Sequence, residues 1–142
     1  MNREILFRGK SIGTGEWLYG NLFNYGLTAP TNVPCISVCV PASWEEAYSL
    51  YAVHPDTIGQ YTGLKDKNGK KIFEGDILEY IGKREDNMNK VYRRKVVFHE
   101  GMFALLSKDL QAYSALNYHC MKDGRSAWRV IGNIHDNPEL IE

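Results

Sequence analysis

The segment that decides the fold spans residues 60–80 and reads QYTGLKDKNGKKIFEGDILEY. An Asn-Gly pair at 68–69 separates two strand-like runs, and this pair is preferred in two-residue hairpin turns because both central residues take positive φ. A Glu-Gly-Asp corner follows at 74–76, where glycine permits a tight bend and the short acidic side chains accept backbone amide hydrogen bonds. The predicted turn-forming residues are Asn68, Gly69, Glu74, Gly75 and Asp76.

Short runs with alternating apolar residues continue on both sides of this segment, and most are bounded by glycine, proline or asparagine. Ser43 followed by Glu46 fits a capping box and predicts one short helix, although residues 49–53 fit a strand equally well. Loops are predicted at residues 24–34, which show little hydrophobic periodicity, and at 83–90, which are polar. No clear pattern appears in residues 108–124. The predicted strands are 4–8, 16–23, 36–40, 57–61, 76–81, 91–99, 101–107 and 128–134.

Short strands at close spacing with glycine corners predict a mainly β fold. The expected form is a small, strongly bent barrel or sandwich built from antiparallel hairpins, with at most one or two short helices. A chain of 142 residues suits a single domain over 1–142. An alternative is two small β substructures, about 1–53 and 54–142, that share a core.

Composition and charge restrict the classes of function. Seventeen basic residues balance seventeen acidic ones, so no net charge attracts the chain to nucleic acid or to an anionic membrane, and such binding would need a local patch. Three cysteines and no basic-then-apolar leader indicate a reducing cytoplasm, and the apolar runs are too short to span a membrane. We therefore expect a cytoplasmic protein without a membrane partner.

Four blocks in order along the chain carry a family resemblance: REILFRG at 3–9, EWLYG at 16–20, the segment at 60–80, and IGNIHDNPEL at 131–140. Together they resemble the YopX family of small phage and prophage proteins. The resemblance implies a mainly β fold built on barrels of the Src-homology-3 type, a mobile-element origin and action in the cytoplasm of a bacterial host. It implies no catalytic residues.

The chain carries weak signals for chemistry. Glu74 and Asp76 could act as paired carboxylates, but a role in the turn is favoured. Phosphate-loop, dinucleotide and nucleophile-elbow motifs do not occur, so we predict no cofactor and no enzyme activity. A zinc site can be drawn from two cysteines and a His-Cys pair, but strand spacing would separate the first two ligands by about 13 Å, so we predict no metal site. The four candidate ligands are Cys35, Cys39, His119 and Cys120.

One local charge feature surrounds Tyr92. Six cations in residues 83–95 outnumber two acids, and such a segment could face phosphates, or it could be the solvated rim of a hairpin. Exposed aromatic residues are a second candidate feature, although Trp17 and Trp128 are predicted to lie in the core. The predicted nucleic-acid-binding residues are Lys83, Arg84, Lys90, Tyr92, Arg93, Arg94 and Lys95.

Three hypotheses of function follow. The first is a non-enzymatic binding module that engages a host or phage protein through strand edges, loops and aromatics, with self-association into a homo-oligomer as part of it. The alternative is nucleic-acid binding through residues 83–95. The third is a small hydrolase that uses Asp76 with a histidine brought near by folding.

Overall fold

A computed structural model describes residues 3–24, 33–107 and 112–141. The protein is mainly β, with two five-stranded antiparallel sheets, so the predicted fold class is confirmed. The chain divides into two compact units, Met1–Tyr61 and Thr62–Glu142. The barrel of the Src-homology-3 type and the single domain remain predictions.

The first sheet has the strand order β3-β2-β1-β4-β5. Strands β1 and β2 form a hairpin in which Phe7 pairs with Gly20 and Lys10 with Trp17. The fourth strand contains the boundary between the two units. The strands are β1 (Phe7–Lys10), β2 (Trp17–Asn24), β3 (Pro34–Ser37), β4 (Gly59–Lys65) and β5 (Lys71–Phe73).

The predicted short helix is present in the first unit. Helix α1 (Trp44–Glu46) continues into a π-helical turn over Ala47–Tyr51, and a 3-10 turn follows at Pro55–Thr57. The Ser43 hydroxyl accepts a hydrogen bond from the Glu46 amide at 3.2 Å. The amide of Ala42 donates to the Glu46 carboxylate at 2.7 Å. In the standard capping box the donor is the amide of the N-cap residue, which here is Ser43.

The predicted strand at 36–40 is wrong beyond Ser37. The Ser37 hydroxyl donates to the carbonyl oxygen of Cys39 at 2.7 Å and accepts from its amide at 3.0 Å. This local pairing replaces sheet pairing and turns the chain away. Val38 and Val40 are consequently 82% and 92% exposed. The first strand also begins later than predicted, at Phe7 rather than residue 4.

The second sheet has the order β10-β6-β7-β8-β9. The hairpin of β7 and β8 turns at Glu100 and Gly101, where both residues take positive φ. Strand β9 lies in a stretch for which the sequence predicted no structure. Two 3-10 turns cover Leu116–His119 and Pro138–Ile141. The strands are β6 (Asp76–Ile81), β7 (Val91–His99), β8 (Met102–Ser107), β9 (Ala112–Ala115) and β10 (Arg129–Asn133).

One face of the second sheet forms the core of the second unit. Trp128 is buried there as predicted and its ring lies 5.6 Å from that of Tyr80. Trp17, predicted to be a core residue, is only half-buried. The Arg8 guanidinium lies 4.7 Å from its ring centroid. The core cluster consists of Ile72, Leu78, Val96, Leu105, Leu116 and Trp128.

The Asn-Gly turn connects β4 and β5 as predicted, but its geometry differs. Gly69 has a φ of 84°, whereas Asn68 is not among the residues with positive φ. The Asp66 amide donates to the Lys70 carbonyl oxygen at 2.7 Å, and the Gly69 amide donates to the Asp66 carbonyl oxygen at 2.9 Å. These bonds close a three-residue loop with glycine at the left-handed position, so the predicted two-residue turn is wrong.

Candidate interaction surfaces

The basic segment begins in the loop between β6 and β7, which is folded on itself. The Gly82 amide donates to the Lys90 carbonyl oxygen at 2.8 Å, and the Asn89 amide donates to the Gly82 carbonyl oxygen at 2.9 Å. A Cβ at Gly82 would lie 2.1 Å from the carbonyl oxygen of Asn87, so only glycine fits. The loop leaves Lys83, Arg84 and Lys90 exposed.

Strand β7 divides the rest of the basic segment between two faces, because successive side chains of a strand point to opposite sides. Tyr92 packs against the core, and the Lys90 ammonium lies 5.2 Å from its ring centroid. The Arg94 guanidinium lies 5.6 Å from the same ring. Arg93 and Lys95 occupy the opposite face. The seven predicted nucleic-acid-binding residues therefore do not form one continuous surface, and their role stays a prediction.

On the outer face, three charged side chains align across three neighbouring strands. Glu79 of β6 pairs in register with Arg129 of β10 and with Arg93 of β7. Arg129 Nη2 lies 2.6 Å from Glu79 Oε1, and Arg93 Nε lies 3.1 Å from Oε2. Arg93 also donates from Nη1 to the Leu140 carbonyl oxygen at 3.4 Å. We call Arg129, Glu79 and Arg93 the charged row.

The charged row carries one net positive charge and a carboxylate that is held ionised. Burial works to raise the pKa of Glu79, but the hydrogen bonds from Arg129 and Arg93 outweigh it, and the pKa is lowered. The Glu79 side chain is only 10% exposed, whereas those of Arg93 and Arg129 are 43% and 45% exposed. The guanidinium groups therefore face solvent while the acid lies beneath them.

An apolar groove of about 430 Å³ opens beside the terminal strand β9. Phe103 forms part of its wall, and the exposed Phe98 stacks edge-on against Phe103 with ring centroids 5.3 Å apart. The lining contains two polar residues and no ionisable side chain. This apolar groove is lined by Thr62, Leu64, Met102, Phe103, Ala115, Leu116 and Asn117.

Large apolar and aromatic side chains lie exposed on the strands and the turn that border the apolar groove. Phe98 is 58% exposed and Met102 is 41% exposed. Tyr113 of β9 stacks on His99 with ring centroids 3.7 Å apart, and Tyr118 is 75% exposed. Aromatic and methionine side chains are enriched in protein interfaces. No pattern in the sequence indicated this surface, because β9 was not predicted.

Asp76 is a buried turn residue. It is 2% exposed, and its Oδ2 accepts the amide hydrogen of Phe73 at 2.8 Å, which is the bond expected of an acid in a turn. Gly75 has a φ of 92°. Its amide donates to the Val96 carbonyl oxygen at 2.9 Å, and its carbonyl oxygen accepts from Ile134 at 2.9 Å. The corner thus joins β7 and the end of β10.

The sequence did not single out Asp66, which is 1% exposed. Its Oδ1 accepts the amides of Asn68 and Lys70 at 2.9 and 2.8 Å, and its Oδ2 accepts the amide of Val130 at 3.0 Å. Its role in the turn could have been inferred from its position two residues before the Asn-Gly pair, because the aspartate side chain commonly accepts the backbone amide hydrogen of the residue two positions later.

The cysteines of the described chain are free thiols. Burial raises the pKa of Cys35. Hydrogen bonds with the hydroxyls of Ser37 and Tyr51, at 3.4 and 3.5 Å, lower the pKa of the exposed Cys39. Cys39 lies beyond the end of β3, so the separation of about 13 Å that was expected for two cysteines of one strand does not apply. Within residues 3–24, 33–107 and 112–141, no three potential ligands cluster around a metal position.

Across the described part of the chain, none of the helices has both the length and the apolar character needed to cross a bilayer.

The fold and these surfaces define a two-sheet antiparallel β protein whose second sheet carries a charged row and borders an apolar groove. The chain belongs to the YopX family, because the family model described as YopX protein matches residues 6–142. A crystal structure of protein EF1440 from Enterococcus faecalis is similar, with 27% sequence identity and a TM-score of 0.55. That match covers 99% of this chain and 100% of the other. No curated protein matches this chain.

Proposed function

We propose that this YopX-family chain is a non-enzymatic binding module for a host or phage protein. It would be encoded by a phage or prophage and act in the cytoplasm of its bacterial host. The observation that carries the proposal is the apolar groove of about 430 Å³ with the exposed Phe98 beside it. A groove with apolar walls and two polar side chains suits the insertion of an apolar side chain from a partner protein.

The chemistry of the groove favours binding over catalysis. Its lining offers a hydroxyl from Thr62 and an amide from Asn117, and neither is an acid, base or activated nucleophile of the usual kind. Asp76, the residue considered for hydrolysis, is buried in a turn where it accepts a backbone amide. The groove therefore supports a binding role.

The position of β9 adds a second means of contact. Among the described residues it is the edge strand of the second sheet, and an edge strand can pair with an extended segment of a partner. Tyr113 belongs to this strand and the groove lies beside it, so backbone pairing and side-chain insertion could act together. A second copy of the chain is one partner that could pair in this way.

The test is capture from a lysate of the host cells by the tagged protein, with and without nuclease. We expect a stoichiometric protein that survives nuclease and is lost with Phe98→Ala. Met88→Ala is the matched control, because Met88 and Phe98 are each 58% exposed. Equal capture by both variants would overturn the role of the groove. Loss of all captured protein on nuclease treatment would overturn protein binding.

Nucleic-acid binding through residues 83–95 is the second candidate. The observation in its favour is the placement of Lys90 and Arg94 over the ring of Tyr92, which puts cations beside an aromatic. Charge reversal at Arg93 and Arg94 together should abolish binding to single-stranded DNA and its salt dependence. Unchanged binding would remove this candidate.

A further inference from the structure

The charged row lies next to a small apolar surface on the same outer face. Ile81 of β6 pairs in register with Val91 of β7, two residues along from the pair of Glu79 and Arg93. Because alternate residues of a strand share a face, Ile81 and Val91 lie on the face of the charged row. Ile81 is 42% exposed and Val91 is 52% exposed.

The two guanidinium groups retain donors for a ligand. A guanidinium carries five N–H donors. Arg93 uses two nitrogens, for Glu79 and Leu140, and Arg129 uses one, for Glu79, so each keeps at least three N–H groups. Neighbouring strands lie about 4.8 Å apart, which places the Cα atoms of the two arginines roughly 10 Å apart.

We propose that this outer face docks an acidic, partly apolar segment of a partner protein. Carboxylates of the partner bind the guanidinium groups of Arg93 and Arg129, while an apolar side chain packs on Ile81 and Val91. The proposal rests on the protein-binding function and adds a contact surface separate from the apolar groove. Charge complementarity selects the occupant, since arginine presents a planar fork that matches a carboxylate.

A peptide fits this face better than a nucleic acid does. The row offers two cations against one acid, so few counterions would be released by phosphates. Lys95 adds a further cation on one side of the row, but the side chains on the other side, Ile81 and Val91, are aliphatic, whereas single strands bind by stacking on aromatics. The aromatic residue of the basic segment, Tyr92, belongs to the opposite face, with the core. A carboxylate next to an apolar side chain satisfies both parts of the outer face.

The role of Glu79 makes the proposal distinguishable from a structural ion pair. In the free protein, Glu79 occupies donors of both arginines and offsets one of their charges. Its replacement by glutamine would raise the charge of the row and strengthen binding of an acidic ligand. If the row served the fold alone, the same replacement would change stability without improving any binding.

The experiment is an NMR titration of the full chain, read from the arginine Nε–Hε signals. The probes are a peptide of alternating glutamate and leucine, the same peptide with glutamine in place of glutamate, and an oligothymidylate. We expect the glutamate peptide to shift the signals of Arg93 and Arg129. Arg129→Gln should weaken its binding about tenfold, the size expected when a charged hydrogen-bonded contact is lost.

Arg125→Gln is the matched control and should bind the peptide like the parent chain. Arg125 pairs with Asp123 at 2.6 Å and its side chain is 41% exposed, against 45% for Arg129. Glu79→Gln should strengthen binding about threefold. Equal effects of the two arginine variants, equal binding of the glutamine peptide, or preferential binding of the oligothymidylate would each overturn the proposal. Capture that depends on Phe98 would still support the proposed function in each of those cases.

Discussion

The Asp66 carboxylate accepts the amide hydrogen of Val130 at 3.0 Å, which connects the turn after β4 to β10 across 64 residues of sequence. The other carboxylate oxygen accepts the amides of Asn68 and Lys70 within the turn. A carboxylate that is 1% exposed and meets three backbone donors organises both segments at once. One side chain therefore holds both the Asn-Gly turn and the start of β10.

The first prediction concerns this carboxylate. Asp66→Ala should lower the free energy of unfolding by about 3 kcal/mol, because it leaves buried amide donors without an acceptor. Asp66→Asn should fall between the alanine variant and the parent chain, since the amide keeps a single acceptor oxygen. Urea unfolding measures both changes.

A matched substitution of an exposed aspartate gives the control for Asp66. Asp123 is 48% exposed in its pair with Arg125, and Asp123→Ala should change stability by no more than about 0.5 kcal/mol. If Asp66→Ala cost no more than Asp123→Ala, the carboxylate would not organise the turn and β10.

The second prediction concerns the pH dependence of the charged row. The pKa of Glu79 is lowered in the folded protein. The ionised carboxylate therefore stabilises the fold fully at pH values above its pKa in the unfolded chain, which is about 4.3. That stabilisation is lost as the pH falls through the lower folded value. Glu79→Gln should therefore cost about 1 kcal/mol at neutral pH and nothing in strong acid. A cost that does not change with pH in urea unfolding would contradict this.

The sequence predicted local structure well and long-range structure poorly. Strands β6 and β7 have the predicted bounds because their alternation and their turn residues are local signals. The role of Asp66 depends on Val130, which no local pattern connects to it. Strand β3 was predicted too far towards the C-terminus. The alternation of apolar and small residues at 36–40 suggested a strand, but the hydrogen bonds between the Ser37 hydroxyl and the backbone of Cys39 end it at Ser37.

The candidate surfaces were predictable only in part. The sequence identified the basic segment, but strand register divides it between two faces and pairs Arg93 with Glu79. The partner Arg129 lies 50 residues from Glu79, so the charged row has no signal in any single segment. The apolar groove was missed for a similar reason. Its residues come from three separated parts of the chain.

The third prediction concerns the motif at 131–140. A Cβ at Gly132 would lie 2.5 Å from Oδ1 of Asn137, and that oxygen accepts the amide of Asn133 at 3.3 Å. Gly132→Ala should cost about 2 kcal/mol, because the Asn137 side chain must move and loses its bond. In an Asn137→Ala background the same substitution should cost less, since the obstructing amide is gone. If the two substitutions lowered the free energy of unfolding additively, as measured by urea unfolding, a Cβ at position 132 would not be obstructed by the Asn137 side chain.

The fourth prediction concerns the reactivity of Cys39. Hydrogen bonds with Ser37 first, and then with Tyr51, lower the pKa of this exposed thiol. A larger share is therefore thiolate near neutral pH, and the thiolate is the nucleophile. Ser37→Ala and Tyr51→Phe should each move the midpoint of the pH–rate profile for iodoacetamide to higher pH. Mass spectrometry of the peptide that contains Cys39 measures the rate. Tyr48→Phe, on the same helical segment, should leave the midpoint in place. If all three variants kept the parent midpoint, the two hydroxyls would not stabilise the thiolate.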